Sequence, residues 1–333
     1  MEGKVRFGMI GAGFAAGFFA QSFPLVERAE LVGVTSLDRK LSEEFAARHG
    51  IPRVFDSRED LLASKEIDAV YIATFPNDHK ASMLAALNAG KHVLCEKPFC
   101  LSVEDAQEVF AFAQEKGLLA MEAMRGEFLP MTLDIRRRLE AGEIGKLQSV
   151  IATMGFRMNP MEGKSRVFQK EMGGGCLFEL GCYCVNSILG LLGFEPEQLS
   201  ITRRMSPEYD VDLSSTIVMK YSGGITGTAI SSIEGNIPSL LTICGSKGHI
   251  TVPKFHFAQS CELYRNDNFF PVFPADATES LSMPYESSNE QYETQAFTDS
   301  ILAGETVNTI MPPERTIGIL KVIEAAISKQ VEP

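Results

Sequence analysis

The stretch Val5-Arg6-Phe7-Gly8-Met9-Ile10-Gly11-Ala12-Gly13-Phe14-Ala15-Ala16 decides the fold of the amino-terminal part of the chain. Residues 5–10 form an apolar run typical of a buried strand, and a glycine-rich turn and a helical pattern follow directly. Gly11 permits a tight turn, Gly13 lets a pyrophosphate approach the backbone, and the small Ala16 lets the helix pack closely on the strand. The N-terminus of that helix would offer its N–H groups to phosphates. We therefore predict a dinucleotide site whose cofactor contacts include Gly11, Gly13, Phe14 and Ala15.

The first 120 residues continue this alternation of short apolar strands with helical segments. Such alternation is typical of βαβ units, in which helices cover both faces of a parallel sheet. We predict a doubly wound Rossmann domain, of the α/β class, over residues 1–122. Its strands are expected at 5–10, 31–35, 69–73, 92–95 and 118–121, and its helices at 14–23, 41–49, 58–63, 79–89 and 103–116.

After about residue 145 the pattern changes to grouped strands separated by turns such as Ser222-Gly223-Gly224. Grouped strands with a few helices indicate a separate α+β domain built on antiparallel hairpins, which we place at residues 123–333. Its strands are expected at 146–157, 201–205, 214–220, 226–233, 240–244 and 248–253, and its helices at 176–192, 290–302 and 314–329.

The composition excludes several classes of protein. Of 333 residues, 45% are hydrophobic and 22% are charged, which is typical of a globular chain and not of a disordered or collagen-like one. The net charge of −12 argues against a nucleic-acid partner. The seven cysteines include no CxxC pair, so we expect buried structural thiols and no metal site. No run of about 18 apolar residues is present, and glycines interrupt the apolar N-terminal stretch, so we expect a cytoplasmic protein without a membrane partner.

The choice of cofactor is made after the second predicted strand, where residues 34–40 are Val-Thr-Ser-Leu-Asp-Arg-Lys. An NAD site favours an acid on the ribose hydroxyls, but Ser36 occupies that position. Arg39 and Lys40 could instead meet the 2′-phosphate of NADP. Asp38 leaves NAD open, because a small shift of the loop would bring its carboxylate to the ribose. The expected cofactor is NADP or NAD, with NADP slightly favoured and with Ser36 and Arg39 as contacts.

A candidate catalytic group follows the predicted strand at 92–95. Glu96-Lys97-Pro98 lies at the carboxyl edge of the sheet, where ligands of open α/β sheets bind. Pro98 biases Lys97 away from the helical conformation, so the lysine should project from an extended segment. There it could donate or accept a proton. The alternative is an ordinary exposed lysine after a strand.

A second candidate group lies on the predicted helix 176–192. Glu179 and Tyr183 are four residues apart and share one helix face, directly after three consecutive glycines. A carboxylate and a phenol together could hold a substrate hydroxyl and relay its proton, although a surface glutamate beside a half-buried tyrosine is the alternative. Arg157 and Arg166 flank a predicted loop and are candidates for binding substrate, or else salt-bridged surface residues.

Several of these stretches together resemble the glucose–fructose oxidoreductase/inositol dehydrogenase (Gfo/Idh/MocA) family. They are residues 11–16, the run Ala-Gly-Lys-His-Val-Leu-Cys-Glu-Lys-Pro at 89–98, and the glycines at 173–175 followed by 179–183. Thr74-Phe75-Pro76-Asn77-Asp78-His79-Lys80 and the tyrosine at 183 resemble its dimeric dihydrodiol dehydrogenase branch. The resemblance covers nearly the whole chain.

The resemblance implies a Rossmann domain followed by an open-faced, mostly antiparallel sheet domain with helices on one face. That second domain would bind the substrate and pair with another subunit. The resemblance also implies that Lys97 lies beside the nicotinamide, with a cis bond to Pro98 allowed, and that residues 179 and 183 border the substrate. By the same resemblance Thr74, His79 and Glu96 are cofactor contacts, while an ordinary helix-start residue is the alternative for His79.

Two departures from the family pattern bear on the substrate. Members usually have Asp where this chain has Glu179. In the dihydrodiol branch, Glu-Ala-Met at 122–124 is typically followed by Trp, a small polar residue and Arg, whereas Arg125-Gly126-Glu127 follows here. The loss of an aromatic platform and the reversed charge argue against an aromatic dihydrodiol and favour a polar sugar or cyclitol.

The leading hypothesis is an NAD(P)-dependent oxidoreductase that transfers a hydride, without a metal, between nicotinamide and a secondary alcohol or ketone. The substrate would be a sugar, a cyclitol or a related diol, and the protein a homo-oligomer, dimer or tetramer, through its C-terminal sheet. Lys97 or Tyr183 would take the hydroxyl proton while Glu179 orients the pair. The alternative is a non-catalytic NAD(P)-binding redox sensor or regulator, which would need the glycine turn but not these three residues together.

Overall fold

A computed structural model describes residues 3–161, 164–266 and 277–328. Proximity of Cα atoms divides the chain into two units. The first contains the residues up to Phe128 together with Glu286–Ile317, and the second contains Leu129–Tyr285 together with the residues from Gly318 onward. The division into domains at residues 122 and 123 stays a prediction; in the structure, residues 286–317 return to the first unit.

The first unit is built on a parallel five-stranded sheet in the order β2-β1-β3-β4-β5. The alternation of strand and helix follows the predicted order, and the predicted Rossmann sheet is confirmed. Its strands are β1 Val5–Ile10, β2 Ala29–Thr35, β3 Ala69–Ile72, β4 His92–Glu96 and β5 Ala120–Ala123, and its helices are α1 Phe14–Ser22, α2 Arg39–His49, α3 Arg58–Ala63, α4 Pro76–Asn88 and α5 Val103–Lys116.

The ends of these helices follow from local chemistry. Ser57 and Ser102 cap α3 and α5, because their side chains accept hydrogen bonds from backbone N–H groups of the first turn. Gly117 ends α5 in the left-handed conformation, with φ 65°, as expected for a helix stop. In the core, the ring of Tyr71 on β3 stacks on Phe19 of α1 with 3.8 Å between centroids. This packing fixes Tyr71 below the carboxyl edge of the sheet.

The second unit contains an eight-stranded sheet in the order β13-β12-β11-β10-β6-β9-β8-β7, among the residues described. Among the described strands of this sheet only β6 and β9 pair in parallel, so the predicted, mostly antiparallel sheet is confirmed. Helix α7 packs against β6 and β9. The elements are α6 Pro130–Glu140, β6 Leu147–Gly155, α7 Cys182–Leu192, β7 Gln198–Met205, β8 Asp212–Lys220, β9 Thr226–Ser232, β10 Ile237–Gly245, β11 Gly248–Pro253, β12 Ser260–Arg265 and β13 Glu279–Ser282.

The helix expected at 176–192 begins with a π-helical turn, Leu177–Gly181, before α7. The side chain of Asp212 accepts a hydrogen bond of 2.8 Å from the Leu177 N–H at this start. Gly175, at φ +108°, makes room for it, since a Cβ there would lie 2.3 Å from an oxygen of Asp212. The stretch Lys170–Leu192 is long and apolar enough to cross a membrane, but 72% of its most apolar window is buried inside the protein, as in a core helix.

Two helices close the chain, α8 Gln291–Ala303 and α9 Pro313–Ser328. They match the predicted helices to within one residue at each described end, and Lys329, the predicted last residue, lies outside the described part. All seven cysteines are free thiols, and six of them are buried.

Candidate active site

The glycine turn after β1 leaves space where a dinucleotide would need it. Gly11 has φ +110°, and a Cβ there would lie 2.4 Å from the carbonyl oxygen of Ala73, so the turn packs directly on the end of β3. A Cβ at Gly13, in contrast, would meet no atom within 4 Å. No side chain caps the N-terminus of α1, and Phe14 in its first turn is 85% exposed. The turn therefore presents unoccupied backbone donors to the surface.

The end of β3 supplies a further polar group. The hydroxyl oxygen of Thr74 is buried and has no hydrogen-bond partner among the described residues. A buried polar atom is ordinarily paired, so this hydroxyl suits a ligand that can bond to it. Together with the open space at Gly13 and the uncapped start of α1, it fits an NAD(P) molecule at this edge of the sheet.

The loop after β2 carries the residues expected to select the cofactor. The carboxylate of Asp38 accepts hydrogen bonds from the N–H groups of Lys40 at 2.9 Å and Leu41 at 3.2 Å, and so caps α2. The Ser36 hydroxyl lies 2.9 Å from the carbonyl oxygen of Asp38. The guanidinium of Arg39 pairs with Glu43 at 2.8 Å and also with Asp56. Asp38 is thus engaged by its own helix, whereas Arg39 is a surface cation between two carboxylates.

The segment around Lys97 is held by hydrogen bonds from three neighbouring elements. The bond between Lys97 and Pro98 is cis. The Lys97 N–H donates to the Glu96 carboxylate at 3.2 Å, and the hydroxyl of Tyr71 donates to the other oxygen of that carboxylate. His79 lies 2.8 Å from the carbonyl oxygen of Pro98, and the Phe99 N–H donates to Glu122 at 3.0 Å. The backbone on both sides of the lysine is therefore fixed by side chains.

Glu122, on β5, is buried beneath this segment. Its second oxygen accepts a 2.9 Å hydrogen bond from the hydroxyl of Thr316. Burial raises the pKa of Glu122 to about 7, although the bonds from Phe99 and Thr316 act in the opposite direction. The carboxyl group therefore changes its charge near neutral pH while it holds the Lys97 segment.

Two further carboxyl groups from the C-terminal part of the first unit are buried near Glu96. Burial, together with the charges of Glu96 and Glu290, raises the pKa of Glu293 well above its usual range. Burial also raises the pKa of Glu290, and the guanidinium of Arg125, with which Glu290 forms an ion pair, opposes that shift. Arg125, which departs from the family pattern, thus balances a buried carboxylate.

In the second unit, the predicted substrate residues Glu179 and Arg166 bind each other. Arg166 Nη2 lies 2.5 Å from Glu179 Oε2, while Arg166 Nη1 is buried without a hydrogen-bond partner among the described residues. Tyr183 is 8% exposed, and its ring centroid lies 5.7 Å from that of His256.

Arg157 lines a cavity of about 390 Å³ in the same unit. Other residues of its wall are Phe168, Ser206, Tyr209, Ile233 and Glu234.

Sequence reasoning did not single out Tyr71, Glu122 or Glu293. Two of them are bonded to residues distant in the chain: Tyr71 donates to Glu96, 25 residues further on, and Thr316 lies 194 residues from Glu122. The available signal was position, since Glu122 directly follows the predicted strand 118–121, which was expected beside the strand that leads to Lys97. Among the described residues, no group of three or more His, Cys, Asp or Glu is arranged to hold a metal ion.

Comparisons with known proteins agree with this geometry. Residues 5–124 match the family model described as an oxidoreductase family with an NAD-binding Rossmann fold, and residues 132–251 match the Gfo/Idh/MocA C-terminal domain. Trans-1,2-dihydrobenzene-1,2-diol dehydrogenase from Mus musculus is 34% identical over 254 residues, 75% of each chain. The enzyme of that name from Danio rerio is 30% identical over 291 residues, 85% of this chain and 86% of its own.

Solved structures share the fold over almost the full length. Levoglucosan dehydrogenase in complex with NADH and levoglucosan has a TM-score of 0.87 at 18% identity, covering 97% of this chain and 96% of its own. A 3-ketoreductase from Actinomadura kijaniata with NADP and TDP-benzene has a TM-score of 0.83 at 24% identity, covering 97% of both chains.

The fold and the family matches define an oxidoreductase with an NAD-binding Rossmann domain. Within that class, the chain belongs to the Gfo/Idh/MocA family. The predicted family, fold class and NAD(P)-dependent oxidoreductase function are confirmed. The individual site residues stay predictions.

Substitutions at the glycine turn should separate folding from cofactor binding. Gly11→Ala places a Cβ against the Ala73 carbonyl, at a residue whose own φ is positive. The substitution should lower the free energy of unfolding by about 1–3 kcal/mol or more. Gly13→Ala meets no atom, so stability should change by less than about 0.5 kcal/mol. Its methyl group would occupy the space needed by the phosphates, so the Kd for NADP should rise about tenfold.

Denaturant unfolding and fluorescence titration would measure both quantities. Gly17→Ala is the matched control, because a Cβ there also meets no atom within 4 Å but lies further along α1. If Gly13→Ala bound NADP as tightly as Gly17→Ala, the turn would not be the phosphate site.

Glu122→Gln should flatten the pH dependence of stability. The folded chain favours the neutral carboxyl, with a pKa of about 7 against 4.5 for an exposed glutamate. The contribution of Glu122 is therefore most favourable below pH 4.5 and is lost as the pH rises through 7. The amide keeps an acceptor for Phe99 and does not ionise, so from pH 5 to 8 the variant should gain about 2–3 kcal/mol relative to the parent.

Urea unfolding across this pH range checks the expectation, with Glu140→Gln on the exposed end of α6 as the control. Parallel curves for the parent and Glu122→Gln would show that Glu122 does not titrate in this way.

Proposed function

We propose that the protein catalyses the reversible oxidation of a secondary alcohol in a sugar, cyclitol or related diol, with Lys97, Tyr183 and Glu179 handling the hydroxyl proton. The observation that carries the proposal is the Lys97 segment, held by side-chain bonds at the same sheet edge where the glycine turn and Thr74 fit a dinucleotide. The relatives are named for a diol, and solved neighbours are bound to levoglucosan or glycerol. These names support a polyhydroxylated substrate.

The glycine turn and Thr74 would hold NAD(P), which when bound would supply the hydride chemistry. The chain supplies the proton chemistry: Lys97 or Tyr183 takes the proton from the substrate hydroxyl, and the other stabilises the developing alkoxide. General acid–base assistance of this kind contributes about 100- to 10,000-fold to rate. Glu179 orients the pair, and its own position is fixed by the 2.5 Å ion pair with Arg166.

The contacts in the second unit support different tasks for the two arginines. Because Arg166 is paired with Glu179, we propose that it positions that carboxylate in addition to contacting substrate. Arg157 lines the cavity beside Phe168 and Tyr209, and this supports a contact with a hydroxyl or anionic oxygen of the substrate.

For the cofactor we propose NADP in preference to NAD. The carboxylate of Asp38 is occupied as the cap of α2, which leaves it less able to bind ribose hydroxyls. Arg39 and Lys40 at the exposed start of that helix support a 2′-phosphate, although Glu43 and Asp56 offset part of the charge of Arg39.

Arg39→Ala should raise the Kd for NADP about tenfold, the value of one charge-assisted hydrogen bond, and change the Kd for NAD less than twofold. Isothermal titration with both nucleotides measures the ratio. Arg53→Ala removes another exposed arginine of the same unit, paired with Glu66, and should leave both affinities unchanged. Tighter binding of NAD than of NADP by the parent would contradict the preference.

A homo-oligomer formed through the C-terminal sheet is also proposed. The face of the sheet that includes Ile151, Thr153, Thr216, Ile230 and Leu240 is partly exposed, and its strand register brings these side chains side by side. A continuous apolar and threonine-rich face supports contact with a second subunit. A cytoplasmic location stays a prediction.

The central test is turnover of Lys97→Met. Parent protein is first assayed by nicotinamide absorbance against a panel of sugars, cyclitols and diols. On the best substrate, Lys97→Met should lose about 100- to 10,000-fold in kcat while the Kd for NADP changes less than twofold. Lys80→Met, which removes an ion-paired lysine of α4, is the control and should keep kcat.

Unchanged kcat in Lys97→Met would remove this lysine from the mechanism. Tight binding of NADP by the parent without turnover on any member of the panel would favour the alternative, a redox sensor or regulator.

A further inference from the structure

His79 connects the two loops that follow β3 and β4. It lies in the first turns of α4 and is 1% exposed. Its Nδ1 atom is 2.8 Å from the carbonyl oxygen of Pro98, and its Nε2 atom is 3.2 Å from the carbonyl oxygen of Thr74. Both ring nitrogens thus face backbone acceptors. This arrangement supports an action through the backbone rather than a direct bond to a cofactor.

The peptide group whose carbonyl contacts His79 also makes a second hydrogen bond to a side chain. The carbonyl of the Pro98–Phe99 peptide faces His79, and its N–H donates to Glu122. This peptide directly follows the Lys97–Pro98 bond. Both of its polar atoms are therefore held by side chains, one from α4 and one from β5. A rotation of this peptide would break both bonds and move the backbone that carries Lys97.

The tautomer of the His79 ring decides which of the two contacts is a hydrogen bond. A carbonyl oxygen can only accept, and a neutral imidazole carries one N–H. Burial lowers the pKa of His79, against the raising effects of the two carbonyls and of Glu96 and Asp78, so the neutral ring has one proton to donate at neutral pH. Because the contact to Pro98 is the shorter of the two, we assign that proton to Nδ1, directed at Pro98.

We propose that His79 is a positioning residue for Lys97: its Nδ1–H bond to the Pro98 carbonyl fixes the peptide next to the lysine and so determines where the amine meets the substrate. The inference rests on the role of Lys97 proposed above. A displacement of about 1 Å at a reacting group can cost about 100-fold in rate, so one backbone bond is sufficient to matter.

Two isosteric substitutions separate the two bonds of His79. The side-chain amide of asparagine lies near the position of Nδ1, and that of glutamine near Nε2. His79→Asn should keep the bond to Pro98 and retain kcat within about threefold. His79→Gln should lose that bond and lower kcat about 10- to 100-fold, with KM and the Kd for NADP within about twofold. If His79 served folding alone, both variants would have a lower Tm, and their kcat values would not differ from each other in this way.

His92 provides the matched control at the opposite end of β4, where its Nδ1 accepts a 3.0 Å bond from the Leu119 N–H. His92→Gln removes a comparable bond to the backbone and should lower Tm without changing kcat. In the double variant Lys97→Met/His79→Gln, the second substitution should not reduce the residual rate further, because the group it positions is absent.

Equal kcat for His79→Asn and His79→Gln, or an additive loss in the double variant, would overturn the proposal. If Lys97→Met itself retained turnover, the proposed role of Lys97 would be contradicted whatever the His79 variants did. Failure of that role is thereby distinguished from failure of the positioning role of His79. Long-range ¹H–¹⁵N correlation spectra of the parent protein test the proposal without any variant: His79 should carry its proton on Nδ1, and a proton on Nε2 alone would contradict it.

Discussion

The peptide group between Pro98 and Phe99 is the constraint on which the proposed chemistry depends. His79 holds its carbonyl and Glu122 holds its N–H, while Tyr71 and Glu96 fix the backbone on the other side of Lys97. The strands β3, β4 and β5, which precede or carry these residues, are neighbours in one parallel sheet. The backbone that carries the lysine is therefore held by residues of the sheet and of α4, and a fixed backbone is one way in which a fold contributes to rate through orientation.

The electrostatics of this region are less negative than its composition suggests. Burial raises the pKa of Glu122, Glu290 and Glu293, and Arg125 pairs with Glu290. Neutral or paired carboxyl groups cost less to bury than free charges. The raised pKa values and the ion pair with Arg125 therefore reduce the negative charge that these three carboxyl groups place near the Lys97 segment.

The local parts of the fold and site were predictable from sequence. The strand, turn and helix at residues 5–22 and the segment at 96–98 depend on neighbouring residues, so their patterns are visible in a single chain.

The π-helical turn at 177–181 could not be predicted, because it depends on Asp212 reaching the Leu177 N–H across 35 residues. The pairing of Arg166 with Glu179 was missed for a similar reason: a spacing of 13 residues has no meaning without the loop conformation. Thr316 and Glu290 join the first unit only because the chain returns to it at residues 286–317. The short strands β12 and β13 were not predicted, although Cys261 and Leu263 of β12 alternate with more polar residues.

The most direct measurement is a crystal structure of the protein with NADP and a polyol that it oxidises. The account predicts that the amine of Lys97 lies within hydrogen-bond reach, about 3 Å, of the hydroxyl on the carbon that faces nicotinamide C4. An amine more than about 6 Å from that hydroxyl, too far even for one bridging water, would contradict the account.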